Sequence, residues 1–78
     1  MYNQTINYKN KTYNIRHGGP FDRGSADSYY NRSPNPHYFE GATYYTDEIA
    51  IEPGTPEWDE YMAGYEYNEE FGNKKDWE

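Results

Sequence analysis

The sequence predicts a small α+β domain: an N-terminal β-hairpin, a short helix, an aromatic connection and a capped C-terminal helix. Three observations carry that expectation. Residues 2–16 alternate in the manner of paired strands, Gly18-Gly19-Pro20 breaks the alternation ahead of a helical spacing, and Thr55-Pro56-Glu57 marks the start of a second helix.

In the first element, Tyr2, Gln4, Ile6 and Tyr8 share one face, and Tyr13 and Ile15 fall in phase after Lys9-Asn10-Lys11. Two strands around a Lys-Asn-Lys turn make a hairpin within residues 1–17, with Asn10 suited to a left-handed conformation. A lone hairpin is marginal, so it must lean on another element. The first helix is expected over 21–31, where Ala26, Tyr29 and Tyr30 are spaced to cluster, and Ser33-Pro34-Asn35-Pro36 would end it. Gly24 weakens that helix by about 1 kcal/mol relative to Ala, which makes sense where another segment approaches closely.

Residues 37–52 are expected to be irregular or to form short strands. A second hairpin around Glu40-Gly41 and a short strand over 48–52, with Ile49 and Ile51 on one side, are the candidates. The C-terminal helix has the strongest local signals. Thr55 is a good N-cap, Pro56 fits the first helical position, Glu57 and Asp59 complement the N-terminus, and Gly72 supplies the stop. It should run over 56–71, with 72–78 as a tail. Its stripe of Trp58, Tyr61, Met62 and Tyr65 is expected to pack on Tyr29, Tyr30, Phe39, Ile6 and Ile15.

Composition limits what such a domain can be. Seventy-eight residues make one small domain. Leu and Val are absent, and net charge is −7, which alone would favour disorder. Sixteen aromatics, eleven of them Tyr, argue for a thin aromatic core instead. No Cys is present, so neither a disulfide nor a thiolate metal site exists. No apolar run approaches a membrane span or a signal-peptide core, so no membrane partner and a cytoplasmic location are expected. Charge is polarised: residues 1–37 hold five basic and two acidic side chains, residues 38–78 two basic and twelve acidic.

Chemistry-bearing residues give no clear catalytic or metal constellation. His17 and His37 lack helical metal-ligand spacing, no EF-hand pattern occurs, and no cofactor is expected. The two imidazoles can be cast as acid and base of a small nuclease, against a plainer reading of a turn histidine and a packed histidine. Gly18-Gly19 can offer amides to an anion or simply reverse the chain. Arg23 and Arg32, with Tyr29, Tyr30 and Tyr38, are suited to stacking bases and touching phosphates, or equally to pairing with the acidic half. Glu66, Glu69 and Glu70 can imitate nucleic-acid phosphates on a partner, or form an ordinary solvated face. The partner-binding candidates are therefore Arg23, Arg32, Tyr29, Tyr30, His37, Glu66, Glu69 and Glu70.

The run Gly19-Pro20-Phe21-Asp22-Arg23-Gly24-Ser25-Ala26-Asp27-Ser28-Tyr29-Tyr30, then Pro36-His37-Tyr38, then Thr55-Pro56-Glu57, Tyr61-Met62-Ala63-Gly64-Tyr65 and Lys75-Asp76-Trp77, resembles a group of small tailed-bacteriophage proteins. The match covers 19–39 and 55–77. It implies an accessory protein in the cytoplasm of an infected bacterium, and it carries over no activity. A weaker similarity, through Gly64-Tyr65 and the proline-aromatic turn, is to ribosome modulation factor, whose members are basic where this chain is acidic. The expected function is a non-enzymatic accessory protein that binds and modulates a host or defence macromolecule, with a protein favoured as partner. The acidic half is one candidate surface. The alternatives are a ribosome- or RNA-associated factor using Arg16, Arg23 and Arg32, and third a histidine-dependent nuclease.

Overall fold

Alternation of half-buried and exposed side chains sets the first element. In the computed structural model, which describes residues 5–40 and 47–72, β1 (Thr5–Tyr8) pairs antiparallel with β2 (Lys11–Asn14). Ile6 and Tyr8 face inward while Thr5 and Asn7 face solvent. The turn has two residues rather than three. Lys9 and Asn10 both adopt positive φ (51° and 64°), the pattern of a type I′ turn, and Lys11 already pairs with Tyr8. β2 stops at Asn14, and Ile15, expected inside, is 38% exposed. Asn14 Oδ1 accepts from the Arg16 amide (2.8 Å), which turns the chain out of the sheet direction.

Gly18 takes φ 87°, a conformation open to glycine, and places Gly19 as N-cap of α1 (Pro20–Tyr29). Of the two readings of Gly18-Gly19, the chain reversal fits, because both amides are used internally: Gly18 N–H donates to Asp22 (2.9 Å) and Gly19 N–H to the Arg16 carbonyl (3.0 Å). The helix ends at Tyr29, two residues early, and Pro34 is not the cause. Asn31 is left-handed (φ 59°), its amide bonds the Ser28 carbonyl (3.0 Å) and the Arg32 amide bonds the Asp27 carbonyl (2.8 Å). That pair is a Schellman motif with Asn in place of Gly.

The second hairpin is wider than expected. β3 (His37–Phe39) pairs antiparallel with β4 (Glu48–Ala50), so the reversal is not at Glu40-Gly41. The part of the expected turn over 41–46 lies outside the described residues. β3 is tied to the first turn by Phe39 N–H to the Gly18 carbonyl (2.8 Å) and by Arg16 Nη2–H to the Phe39 carbonyl (2.8 Å).

α2 (Pro56–Phe71) follows the expected bounds. Thr55 Oγ1 accepts from the Trp58 amide (3.2 Å), with Pro56 at the first position and Glu57 and Asp59 in the first turn. Its packing on α1 is the main tertiary contact. Gly24 and Gly64 face each other at the crossing. A Cβ on Gly24 would collide with the Tyr61 carbonyl and Tyr65 amide, and one on Gly64 with the Phe21 carbonyl. The close approach inferred from Gly24 is present, and Gly64 is its counterpart.

The core is correspondingly small. Tyr8, Phe21 and Ala63 are buried together, with Ile6, Tyr13 and Tyr67 against them. The rings meet at tilted or edge angles: Tyr8–Tyr67 at 5.3 Å, Phe21–Tyr13 at 5.6 Å and Phe21–Tyr67 at 5.8 Å. Of the expected helical stripe only Tyr61 is fully buried; Ala63, Gly64 and Tyr67 do the packing expected of Trp58, Met62 and Tyr65. Tyr29 and Tyr30, also expected in the core, point outward, because α1 buries Phe21, Gly24, Asp27 and Ser28 instead. Among the described residues no helix is long and apolar enough to cross a membrane.

Candidate functional site: a buried polar cluster with an exposed aromatic rim

The inward face of α1 is polar in its second half. Arg23 and Asp27 lie one helical turn apart, so their side chains emerge on the same face. β3 brings His37 over them, and α2 brings Tyr61. Arg23 Nε–H donates to His37 Nε2 (3.2 Å), and His37 Nδ1 lies 2.6 Å from the Asn35 carbonyl. These two contacts assign the tautomer: Nδ1 carries the proton and donates it to Asn35, while Nε2 accepts from Arg23. His37 is therefore neutral here, and neither ring nitrogen is left to act as a general base.

Tyr61 closes the other side. Its hydroxyl donates to Asp27 Oδ2 in a short contact and accepts from the Asn35 amide (2.9 Å). Burial first, and then the bond to Asp27, pushes the Tyr61 hydroxyl far above its ordinary value. Asp27 is 2% exposed and also lies 3.8 Å from both Arg32 Nη1 and His37 Nδ1. Deeper along α1, the fully buried Ser28 hydroxyl donates to Glu69 (2.6 Å) and accepts from Asn68 (3.0 Å).

Between this cluster and β4 is a pocket of about 320 Å³ lined by Arg23, Asp27, Arg32, Asn35, His37 and Glu48. Arg32 bridges pocket and surface. Its guanidinium stacks 5.2 Å from the Tyr30 ring centroid, Tyr30 meets Tyr29 edge-on at 5.0 Å, and the Arg32 carbonyl accepts from Tyr65 (2.5 Å). Tyr29 and Tyr30 are 40% and 36% exposed, which makes an outward rim of two tyrosines and an arginine.

Of the sequence candidates, Arg23, Arg32 and His37 meet in the pocket, and Tyr29 and Tyr30 lie outside its lining, with Tyr30 stacked against Arg32 at the surface. The glutamates lie elsewhere. Glu66 accepts from Lys9 and Tyr8 (the latter at 3.2 Å), Glu70 from Tyr8 (2.7 Å) and Glu69 from Ser28. They fasten α2 to the N-terminal half. His17, exposed on the first turn, approaches Asp22 at 3.8 Å. Arg16 directs its guanidinium at the carbonyls of Phe39 and His17, a structural use. Asp27, Asn35 and Tyr61 were missed as site residues. The signal for Asp27 was its i, i+4 spacing from Arg23 on one helix face; for Asn35 and Tyr61 the grouping is purely tertiary.

The hairpin fastening predicts a pH profile. Burial and the Glu70 and Glu66 carboxylates push the Tyr8 hydroxyl from 10.0 up to about 12. Between those values the unfolded chain has lost a proton that the folded chain keeps, so stability falls as pH rises through this window. Lys9, bonded to Glu66, is likewise raised, and its contribution is lost in the same direction. The Lys9 contact holds the Glu66 carboxyl below its ordinary 4.5, so that contribution is full above this value and lost as pH falls beneath it. These contacts are expected to lower the melting temperature as pH rises above about 10 and as it falls below the ordinary carboxylate value of 4.5. Tyr8→Phe should shallow the alkaline limb; an unchanged limb would exclude Tyr8 as its source.

No known protein family, curated protein or solved structure matches this chain.

Proposed function

We propose that this chain is a non-enzymatic accessory protein of a tailed bacteriophage that binds and modulates a host or defence protein through the Tyr29–Tyr30–Arg32 rim. The observation that carries the reading is the outward placement of two adjacent tyrosines with an arginine stacked on Tyr30, in a chain otherwise short of apolar side chains. Tyr and Arg are the residue types most enriched where protein interfaces concentrate their binding energy. The acidic helix is a weaker candidate for direct contact, since Glu66, Glu69 and Glu70 are each bonded to the N-terminal half.

Tagged protein captured from infected bacteria tests this. Tyr30→Ala, at unchanged melting temperature, and Arg32→Ala, at a slightly lowered one, should each weaken recovery of the same partner by about tenfold or more. Recovery unaffected by these changes but lost with Glu57→Gln and Glu60→Gln would move the interface to the acidic helix.

A further inference from the structure

Arg23 is 8% exposed, yet among the described residues its guanidinium makes a single hydrogen bond, from Nε to His37 Nε2. Among the described residues no carboxylate forms an ion pair with it; Asp27 instead approaches Arg32 and His37 and accepts from Tyr61. Its other contact is the Phe39 ring at 5.7 Å, which supports the guanidinium plane without neutralising it. A buried guanidinium with no carboxylate within ion-pair distance is costly, and an arginine fork with its Nε already committed keeps two terminal nitrogens for a planar oxyanion. These nitrogens belong to a side chain that lines the 320 Å³ pocket, with Arg32 beside it.

We propose that this pocket binds one carboxylate, held by Arg23 within and Arg32 at the edge. Charge selects the anion. Asp27 and Glu48 line the same pocket, so the two arginines are already balanced in formal count. A phosphate dianion would bring two further negative charges beside these carboxylates, whereas a carboxylate brings one and matches the fork geometry. The assignment deepens the binding reading above and rests on it for the ligand's origin: an acidic side chain or a chain terminus offered by the partner at the Arg32 rim. Affinity for a free carboxylate does not depend on that reading.

The test is an NMR titration of the full chain that follows the Arg23 guanidinium and His37 ring. Acetate should give saturable shifts at both, while chloride at equal ionic strength and neutral acetamide give none. N-acetylglycine and N-acetylglutamic acid α-amide then distinguish a terminal from a side-chain source by which binds more tightly. Arg23→Gln should weaken acetate binding by about tenfold or more, and Glu48→Gln, an exposed position, should tighten it measurably. Acetate binding is read on the free chain and partner recovery in the capture experiment, which separates failure of the pocket from failure of the rim. Acetate shifts that do not saturate, or that chloride reproduces, overturn the proposal. So does undiminished acetate binding by folded Arg23→Gln or, if that variant does not fold, unchanged affinity in Glu48→Gln.

Discussion

Gly64→Ala is expected to remove about half of the protein's stability. The added methyl would lie inside the contact distance of the Phe21 carbonyl, a backbone group in the first turn of α1 that has no rotamer by which to move away. Overpacking of this kind costs about 3 kcal/mol, and the better helix propensity of Ala returns about 1 kcal/mol. A net loss of about 2 kcal/mol is severe in a domain whose core supplies only about 3–5 kcal/mol in all. Gly24→Ala should behave similarly, because its methyl meets the Tyr61 carbonyl. Having separated the helices once, the second substitution should cost less than the first, giving a double-mutant coupling of about 1 kcal/mol. Urea denaturation measures all three variants. A Gly64→Ala protein with the parental midpoint would mean the helices do not cross here.

Tyr61→Phe should be nearly as damaging for the opposite reason, since it removes a group and adds none. The lost hydroxyl strands the buried Asp27 carboxylate, which loses a donor, and also takes an acceptor from the amide of the exposed Asn35. Orphaning the buried group costs about 2 kcal/mol, more than the net worth of the bond itself. Asp27→Asn provides the comparison. An amide oxygen still accepts from Tyr61, and the ion pair it gives up is with a guanidinium that is 59% exposed, so about 1 kcal/mol is expected. If chemical denaturation places Asp27→Asn below Tyr61→Phe in stability, the hydroxyl is not the member that holds the cluster.

What could be read from the sequence was what depends on neighbours along the chain. Thr55, Pro56 and Glu57 act on the same helical turn, so α2 could be bounded before any packing was known. Alternation revealed β1 and β2, but not that Lys9 would join Asn10 at positive φ, which a lysine seldom adopts. Gly24 announced a close approach without naming Gly64, because the two meet only when the helices cross.

The outward tyrosines misled for a related reason. Aromatic spacing normally marks a core face, yet this chain has no Leu or Val, and α1 buries a glycine, an aspartate and a serine in their place. Interior contacts here rest on backbone proximity and satisfied polar groups, which a hydrophobic pattern does not register. Arg23 and His37 were visible as candidates by residue type. That one holds the ring nitrogen of the other needed β3 laid across α1.

The bonds from Tyr8 to Glu66 and Glu70 join positions separated by 58 and 62 residues. Such closure of an early strand on a late helix imposes an order on biosynthesis. β1 and β2 can pair as soon as they emerge, but the ring stack that retains Tyr8 has no other side until Tyr67 has been translated. The hairpin must therefore wait in the nascent chain as a marginal, reversible structure. Folding is then a late event governed by a long loop closure, slower than two adjacent helices alone would require. A ribosome-bound chain halted before α2 should gain protection only when elongation resumes.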